Sequence, residues 1–283
     1  MQLIEEMEEQ YIEANGIKLH TMITGTGPSL ILLHGFPEFW YGWKNLILAL
    51  KDEFKLVVPD LRGYNLSDKP EGVDQYHINV LVEDIHQLSK NLDLGKFTLI
   101  GHDWGGFISW AFAEKHPELL NKLIILNSPN PAIFQKHLLI YPAQQKASAY
   151  ISRFAASSNA DNLMKDNCQL LRNTIFGTAS NKEGYSEEDV NKYLKAWNQP
   201  GAVWSGVKYY KANRDFSDLT GVIKVPTLVL WGMKDIFVLS SSLDDLPDYV
   251  EDLKIVTNEH ASHWLVNDDI DFVASNIREF VRE

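Results

Sequence analysis

The chain has 283 residues, 45% of them hydrophobic, enough to bury a large core and leave room for an insertion within one α/β domain. A formal net charge of -12, with no basic stripe to offset it, excludes nucleic acid and an anionic membrane surface as partners. The single cysteine, Cys168, can form neither an internal disulfide nor a cysteine-based metal site, and reads as a small buried hydrophobe.

Residues 1–9 are acidic where a signal peptide is basic, and they lack its apolar core. No window reaches the roughly 18 apolar residues of a membrane span, so the sequence reads as cytoplasmic. Residues 11–13 and 18–24 flank Asn15-Gly16, a pair that accepts the positive φ angles of a tight hairpin turn, and form an antiparallel sheet edge. Residues 29–34 are a continuous apolar run, as in a central parallel strand covered on both faces. They pass into His34-Gly35-Phe36-Pro37-Glu38. Residues 55–60 form another such strand, followed by a polar loop to Pro70 in which Asp60 and Arg62 are expected to make a bracing ion pair. Residues 77–92 have helical periodicity, 97–100 form a short buried strand, 107–115 return to helical spacing, and 123–127 give the next strand.

From residue 132 to 215 helical periodicities and loops replace the strands, which resume at 225–231 and 253–256 before an amphipathic helix over 270–281. Strands alternating with helices predict a mostly parallel, doubly wound sheet. The interruption predicts an inserted helical cap, giving a core of residues 1–130 and 217–283 with the cap at 131–216. Ligand sites of open α/β sheets lie beyond the carboxyl ends of the strands. An insertion leaving that edge would cover the cleft and exclude water.

Between strand 97–100 and helix 107–115 lies Gly101-His102-Asp103-Trp104-Gly105-Gly106. A nucleophile flanked by small residues on a strand, turn and helix is the nucleophile elbow of the α/β-hydrolase fold, where glycines let the two backbones approach. Read alone, Asp103 also suits the N-cap of the helix. Asp235 follows strand 225–231 and His263 follows strand 253–256, completing the order nucleophile, acid, histidine at one sheet edge. His260 competes with His263. In the same pattern the N–H groups of Phe36 and Trp104 are the oxyanion donors.

A carboxylate is already ionised and can displace a leaving group from saturated carbon, giving an alkyl-enzyme ester where serine would give an acyl-enzyme. His263 would then activate water to hydrolyse the ester at the Asp103 carbonyl, with Asp235 orienting the imidazole. Epoxides and haloalkanes both suit such a nucleophile, and an epoxide oxygen also needs a proton donor. Tyr141, Tyr150, Tyr185, Tyr193, Tyr209 and Tyr210 are candidates within the insertion. Phe36, Trp104, Phe39 and Trp40 imply an apolar substrate pocket.

His34-Gly35-Phe36-Pro37-Glu38, Asp60-Leu61-Arg62-Gly63-Tyr64, the Asp103 hexapeptide and Ala261-Ser262-His263-Trp264 together resemble the α/β-hydrolase-fold epoxide hydrolases of the soluble or microbial type. The resemblance runs from about residue 11 to the C-terminus. It implies an Asp-His-Asp triad, hydration of a small apolar epoxide to a vicinal diol, no metal or organic cofactor, a monomer or homodimer, and two cap tyrosines that protonate the epoxide oxygen. By position those tyrosines are Tyr150 and Tyr210, with Tyr209 adjacent to the second, and the Ala-Ser-His-Trp loop favours His263 over His260. Haloalkane dehalogenases share Asp103-Trp104 but typically carry asparagine in place of Phe36, and fluoroacetate dehalogenases typically carry arginine in place of Trp104. A non-catalytic hydrolase fold used for binding is a third reading, against which all three triad members are present.

Overall fold

The computed structural model describes residues 7–155 and 159–283. Residues 1–6, most of the acidic N-terminal stretch, and 156–158, within the expected cap, lie outside the described residues. β1 (Glu8–Ala14) and β2 (Ile17–Thr24) pair antiparallel. Asn15 and Gly16 turn between them with φ of 49° and 76°, the left-handed pair that a two-residue hairpin requires. β2 runs antiparallel to β4 (Lys55–Pro59). β3 (Ser29–Leu33), β4, β5 (Phe97–His102), β6 (Leu120–Leu126), β7 (Thr227–Gly232) and β8 (Leu253–Asn258) are mutually parallel. The sheet order is β1-β2-β4-β3-β5-β6-β7-β8.

Every residue of β5 is buried, Thr98 and His102 included, as in a central parallel strand covered on both faces. Helix Ile78–Asn91 packs on helix Trp104–Lys115, and helix Lys44–Leu50 packs on Ile270–Arg282. The last of these buries Val273, Ala274, Ile277 and Phe280, a single stripe at helical spacing. The chain leaves β3 toward β4 on one side and returns to β5 on the other. Strand order therefore reverses between β3 and β5, and the loops after these two strands flank the crevice that such a reversal opens.

Between β6 and β7 the described residues contain helices Pro131–Ile140, Pro142–Ala147, Ala149–Ala155, Asn159–Ile175, Glu187–Trp197 and Ala202–Ala212 and no strand. Prolines open the first two, where a missing N–H costs nothing, and Ser186 with Asp189 forms a capping box on Glu187–Trp197. Helix Asn159–Ile175 is broken where Asp166, Asn167 and Cys168 take positive φ, and Cys168 is buried. Among the described residues no helix is long and apolar enough to cross a membrane.

The expected ion pair between Asp60 and Arg62 does not form. Arg62 instead grips Asp84 of helix Ile78–Asn91 with Nε at 2.7 Å and Nη2 at 2.6 Å. Asp60 accepts from Trp40 N at 3.0 Å and Asn65 Nδ2 at 2.8 Å, and lies 2.6 Å from His20 Nδ1. Both charged groups are fully enclosed, where each needs a complete set of partners. The fork of Arg62 finds a matching carboxylate only on the helix, while Asp60 is saturated by the hairpin and the β3 loop.

Candidate active site

Asp103 stands between β5 and helix Trp104–Lys115 with φ 49° and ψ -120°, a conformation that costs energy and persists only where packing enforces it. The surrounding glycines allow that packing. A Cβ on Gly105 would strike the Leu33 carbonyl, and one on Gly106 would strike the Ser128 side chain. Ser128 Oγ also donates to the Asp103 carbonyl at 2.8 Å. The elbow thereby projects a buried carboxylate toward the crevice between β3 and β5.

The two oxygens of that carboxylate are differentiated. Oδ1 accepts the Phe36 N–H at 2.7 Å, and Oδ2 lies 3.7 Å from His263 Nε2. Gly35 is required for the first contact, since a Cβ there would meet the Asp103 side chain. Behind Phe36, buried His34 accepts the Leu61 N–H on Nε2 at 3.0 Å, and burial, its largest influence, holds its imidazole below the ordinary histidine value. Trp104 follows Asp103 directly, so its N–H lies in the first turn of the elbow helix, where donors are free of intrahelical partners.

His263 Nδ1 meets Asp235 Oδ2 at 2.6 Å. Asp235 is fixed by the loop after β7, accepting Phe237 N at 2.8 Å and Val238 N at 3.0 Å on Oδ1, and Asn127 Nδ2 at 2.8 Å on Oδ2. Since Asp235 is supplied with donors from three other groups, the imidazole is held with Nε2 toward Asp103. Burial alone would lower the His263 pKa, but the Asp235 charge and then Asp103 raise it to about 10. Burial likewise opposes ionisation of Asp103, yet the adjacent imidazolium, His102 and the Phe36 N–H leave its carboxyl below the ordinary aspartate value. These shifts favour an ionised Asp103 beside a protonated His263 near neutral pH. His260, the competing histidine, is exposed on its loop.

Against Asp103 opens a cavity of about 450 Å³ lined by Trp104, Tyr150 and Tyr210, with Phe107, Phe134 and Phe216 on its apolar wall. A smaller space of about 90 Å³ shares Asp103, Tyr150 and Tyr210 and reaches Phe36, Phe237 and His263. The rings of Tyr150 and Tyr210 are 6.2 Å apart. Burial first, then the Asp103 charge, pushes both phenols well above the ordinary tyrosine value, so both keep their protons at neutral pH. Tyr209 turns away and donates its hydroxyl to the Arg62 carbonyl at 2.7 Å. Tyr193 donates to Glu38 at 3.3 Å, Tyr185 packs against Phe176 with ring centroids 4.9 Å apart, and Tyr141 is exposed.

Phe39 and Trp40, expected in the substrate pocket, line neither space. After Pro37 the chain stays extended at Phe39 and then enters the 3-10 turn Trp40–Trp43. Phe39 packs on Tyr193 with ring centroids 5.2 Å apart, and Trp40 N is committed to Asp60. Their place on the wall is taken by aromatic residues at more distant positions in the sequence, Phe107, Phe134 and Phe216. Sequence reasoning also missed Asn127, whose only advance signal is a polar residue at the carboxyl end of β6, and the buried pair His102 and Glu38. Nδ1 of His102 meets Glu38 Oε2 at 2.9 Å, and its Nε2 meets the His263 carbonyl at 2.9 Å.

A family model described as the alpha/beta hydrolase fold matches residues 28–268. The chain is 36% identical over 278 residues to the AB hydrolase superfamily protein YfhM of Bacillus subtilis, covering 96% of this chain and 97% of that one. It is 34% identical over 283 residues to epoxide hydrolase 4 of Mus musculus, covering 96% of this chain and 78% of that one. Among solved structures it resembles the Bacillus megaterium epoxide hydrolase crystallised with an inhibitor, with a TM-score of 0.92 and 34% identity over 97% of this chain and 100% of that one.

Proposed function

The chain belongs to the α/β-hydrolase fold family as a member of its epoxide hydrolases, enzymes that act on ether bonds, and from that premise we propose that it adds water to a small apolar epoxide through an ester on Asp103. Asp103 Oδ2 attacks an epoxide carbon while the carbon–oxygen bond breaks and Tyr150 or Tyr210 gives its proton to the departing oxygen. Oδ2 is the attacking atom because Oδ1 is engaged by Phe36 N–H. The product of this step is a hydroxyalkyl ester and a tyrosinate.

Esterification removes the Asp103 charge, one of the two that hold the His263 pKa at about 10. The imidazole then releases its proton to neutralise the tyrosinate and becomes a base. It takes a proton from water in the space beside it, which at about 90 Å³ exceeds the roughly 30 Å³ share of one water. Hydroxide adds to the Asp103 carbonyl carbon, and the Phe36 and Trp104 N–H groups hold the oxyanion. Collapse expels the diol oxygen, which takes the proton of the carboxyl group just formed on Asp103, and leaves carboxylate and imidazolium. The balance over both steps is epoxide plus water giving diol, and the residues at 131–216 act as the lid that keeps bulk water out.

The observation that carries this reading is a carboxylate at the elbow that shares an aromatic-walled cavity with half-buried Tyr150 and buried Tyr210. Its test is a parallel assay of styrene oxide and 1-bromobutane with the purified protein. Diol without bromide is the expected result; bromide without diol would move the chain to dehalogenation, with Trp104 against the halide, and neither product would favour a binding role. The Tyr150→Phe/Tyr210→Phe double variant removes both proton donors while keeping the rings. We expect the rate of ester formation in rapid-quench experiments to fall at least about 100-fold, the lower end of general acid catalysis. Ester formation at the parent rate would remove the tyrosines from the mechanism.

A further inference from the structure

Glu83 and His86 lie one turn apart on helix Ile78–Asn91, and His116 caps the C-terminus of the neighbouring helix Trp104–Lys115. The three side chains are half-buried and offer ligand atoms that all lie within 4.8 Å of one another. His86 Nδ1 is 3.2 Å from Glu83 Oε2, and the two imidazoles stack with centroids 4.5 Å apart and planes 22° from parallel. None of these groups contributes to the site around Asp103. The elbow helix has 12 residues, so it separates His116 from Asp103 by about 18 Å at 1.5 Å per residue.

We propose that Glu83, His86 and His116 bind a transition-metal dication of the zinc type, which clamps the far end of the elbow helix to its neighbour. Two imidazoles and a carboxylate are a donor set suited to zinc, copper or nickel and poorly suited to magnesium, which takes oxygen ligands. Tetrahedral zinc with bonds of about 2.0–2.1 Å separates its ligand atoms by about 3.3–3.4 Å. The Glu83 and His86 atoms already stand at 3.2 Å, and rotation of partly exposed side chains brings His116 in. Gln87 Nε2 donates to Glu83 Oε1 at 2.7 Å, orienting the carboxylate from behind as outer partners of metal ligands do. Water completes the tetrahedral set.

The test is calorimetric titration of zinc chloride, and separately magnesium chloride, into tag-free, chelator-treated protein, with the melting temperature recorded in each. We expect one equivalent of zinc to bind, the melting temperature to rise, and magnesium to do neither. His86→Ala and His116→Ala should each weaken zinc binding by at least about 10-fold, the smallest loss seen for groups one shell further out, and should abolish the thermal shift while keeping the parent circular dichroism. Absence of saturable zinc binding, or parent-like affinity in the His86→Ala/His116→Ala double variant, would overturn the proposal.

Discussion

Asp103→Asn is expected to reduce epoxide turnover by at least about ten-thousand-fold, the scale on which removal of an active-site nucleophile is felt. Asparagine nearly preserves the shape of the side chain, tolerates the positive φ of the elbow, and can still accept from Phe36 N–H, so the fold should survive. What disappears is the charge. The neutral amide cannot displace an epoxide oxygen, and it no longer holds the His263 imidazolium. A raised histidine pKa contributes stability that is complete below about pH 6.5 and is lost as pH rises through the folded value of about 10. The variant should therefore lose part of its stability at pH 6 and less at pH 10, which chemical denaturation at the two values would measure. Turnover must be assayed on fresh protein, because an asparagine there can deamidate and regenerate Asp103. Sustained parent rates from verified asparagine protein would defeat the assignment.

His263→Gln separates the two half-reactions. Asp103 keeps its Phe36 donor and both tyrosines, so ester formation continues, while no base remains to activate water. Steady-state turnover should fall by about ten-thousand-fold or more. The protein should instead gain the mass of one substrate, with the adduct on the peptide that contains Asp103. An unmodified, fully active variant would transfer the role of base to another group, and exposed His260 would be the first to examine.

Much of this site is legible because its members are local. Asp103 sits in a six-residue motif, and Asp235 and His263 each follow an apolar strand, so parallel strand direction alone carries all three to one sheet edge. The same locality made the Phe36 donor readable, since His34-Gly35-Phe36 directly follows β3, the strand beside β5. Features set by side-chain direction were not legible. Tyr209 and Tyr210 are neighbours on one helix, and the roughly 100° between successive residues turns one into the core and the other into the cavity. Phe39 and Trp40 follow Phe36 closely in sequence but find partners elsewhere, Phe39 on Tyr193 and Trp40 N on Asp60, which their sequence position does not reveal. The partner of Arg62 lies 22 residues away on a helix, and two residues' separation from Asp60 gave no information about that geometry. Asn127, clasping Asp235 from 108 residues away, is visible only once β6 and β7 are adjacent.

The covalent role of Asp103 is tested most directly by a single turnover of styrene oxide, with enzyme in excess, in heavy-oxygen water. If Oδ2 attacks the epoxide and water attacks the Asp103 carbonyl carbon, the oxygen entering the first diol comes from the protein. The diol should then carry no heavy label, and the label should appear in the Asp103 carboxylate by mass spectrometry of its peptide. Heavy oxygen in the first diol, with none on Asp103, would mean that water attacks the epoxide directly, and would contradict the account.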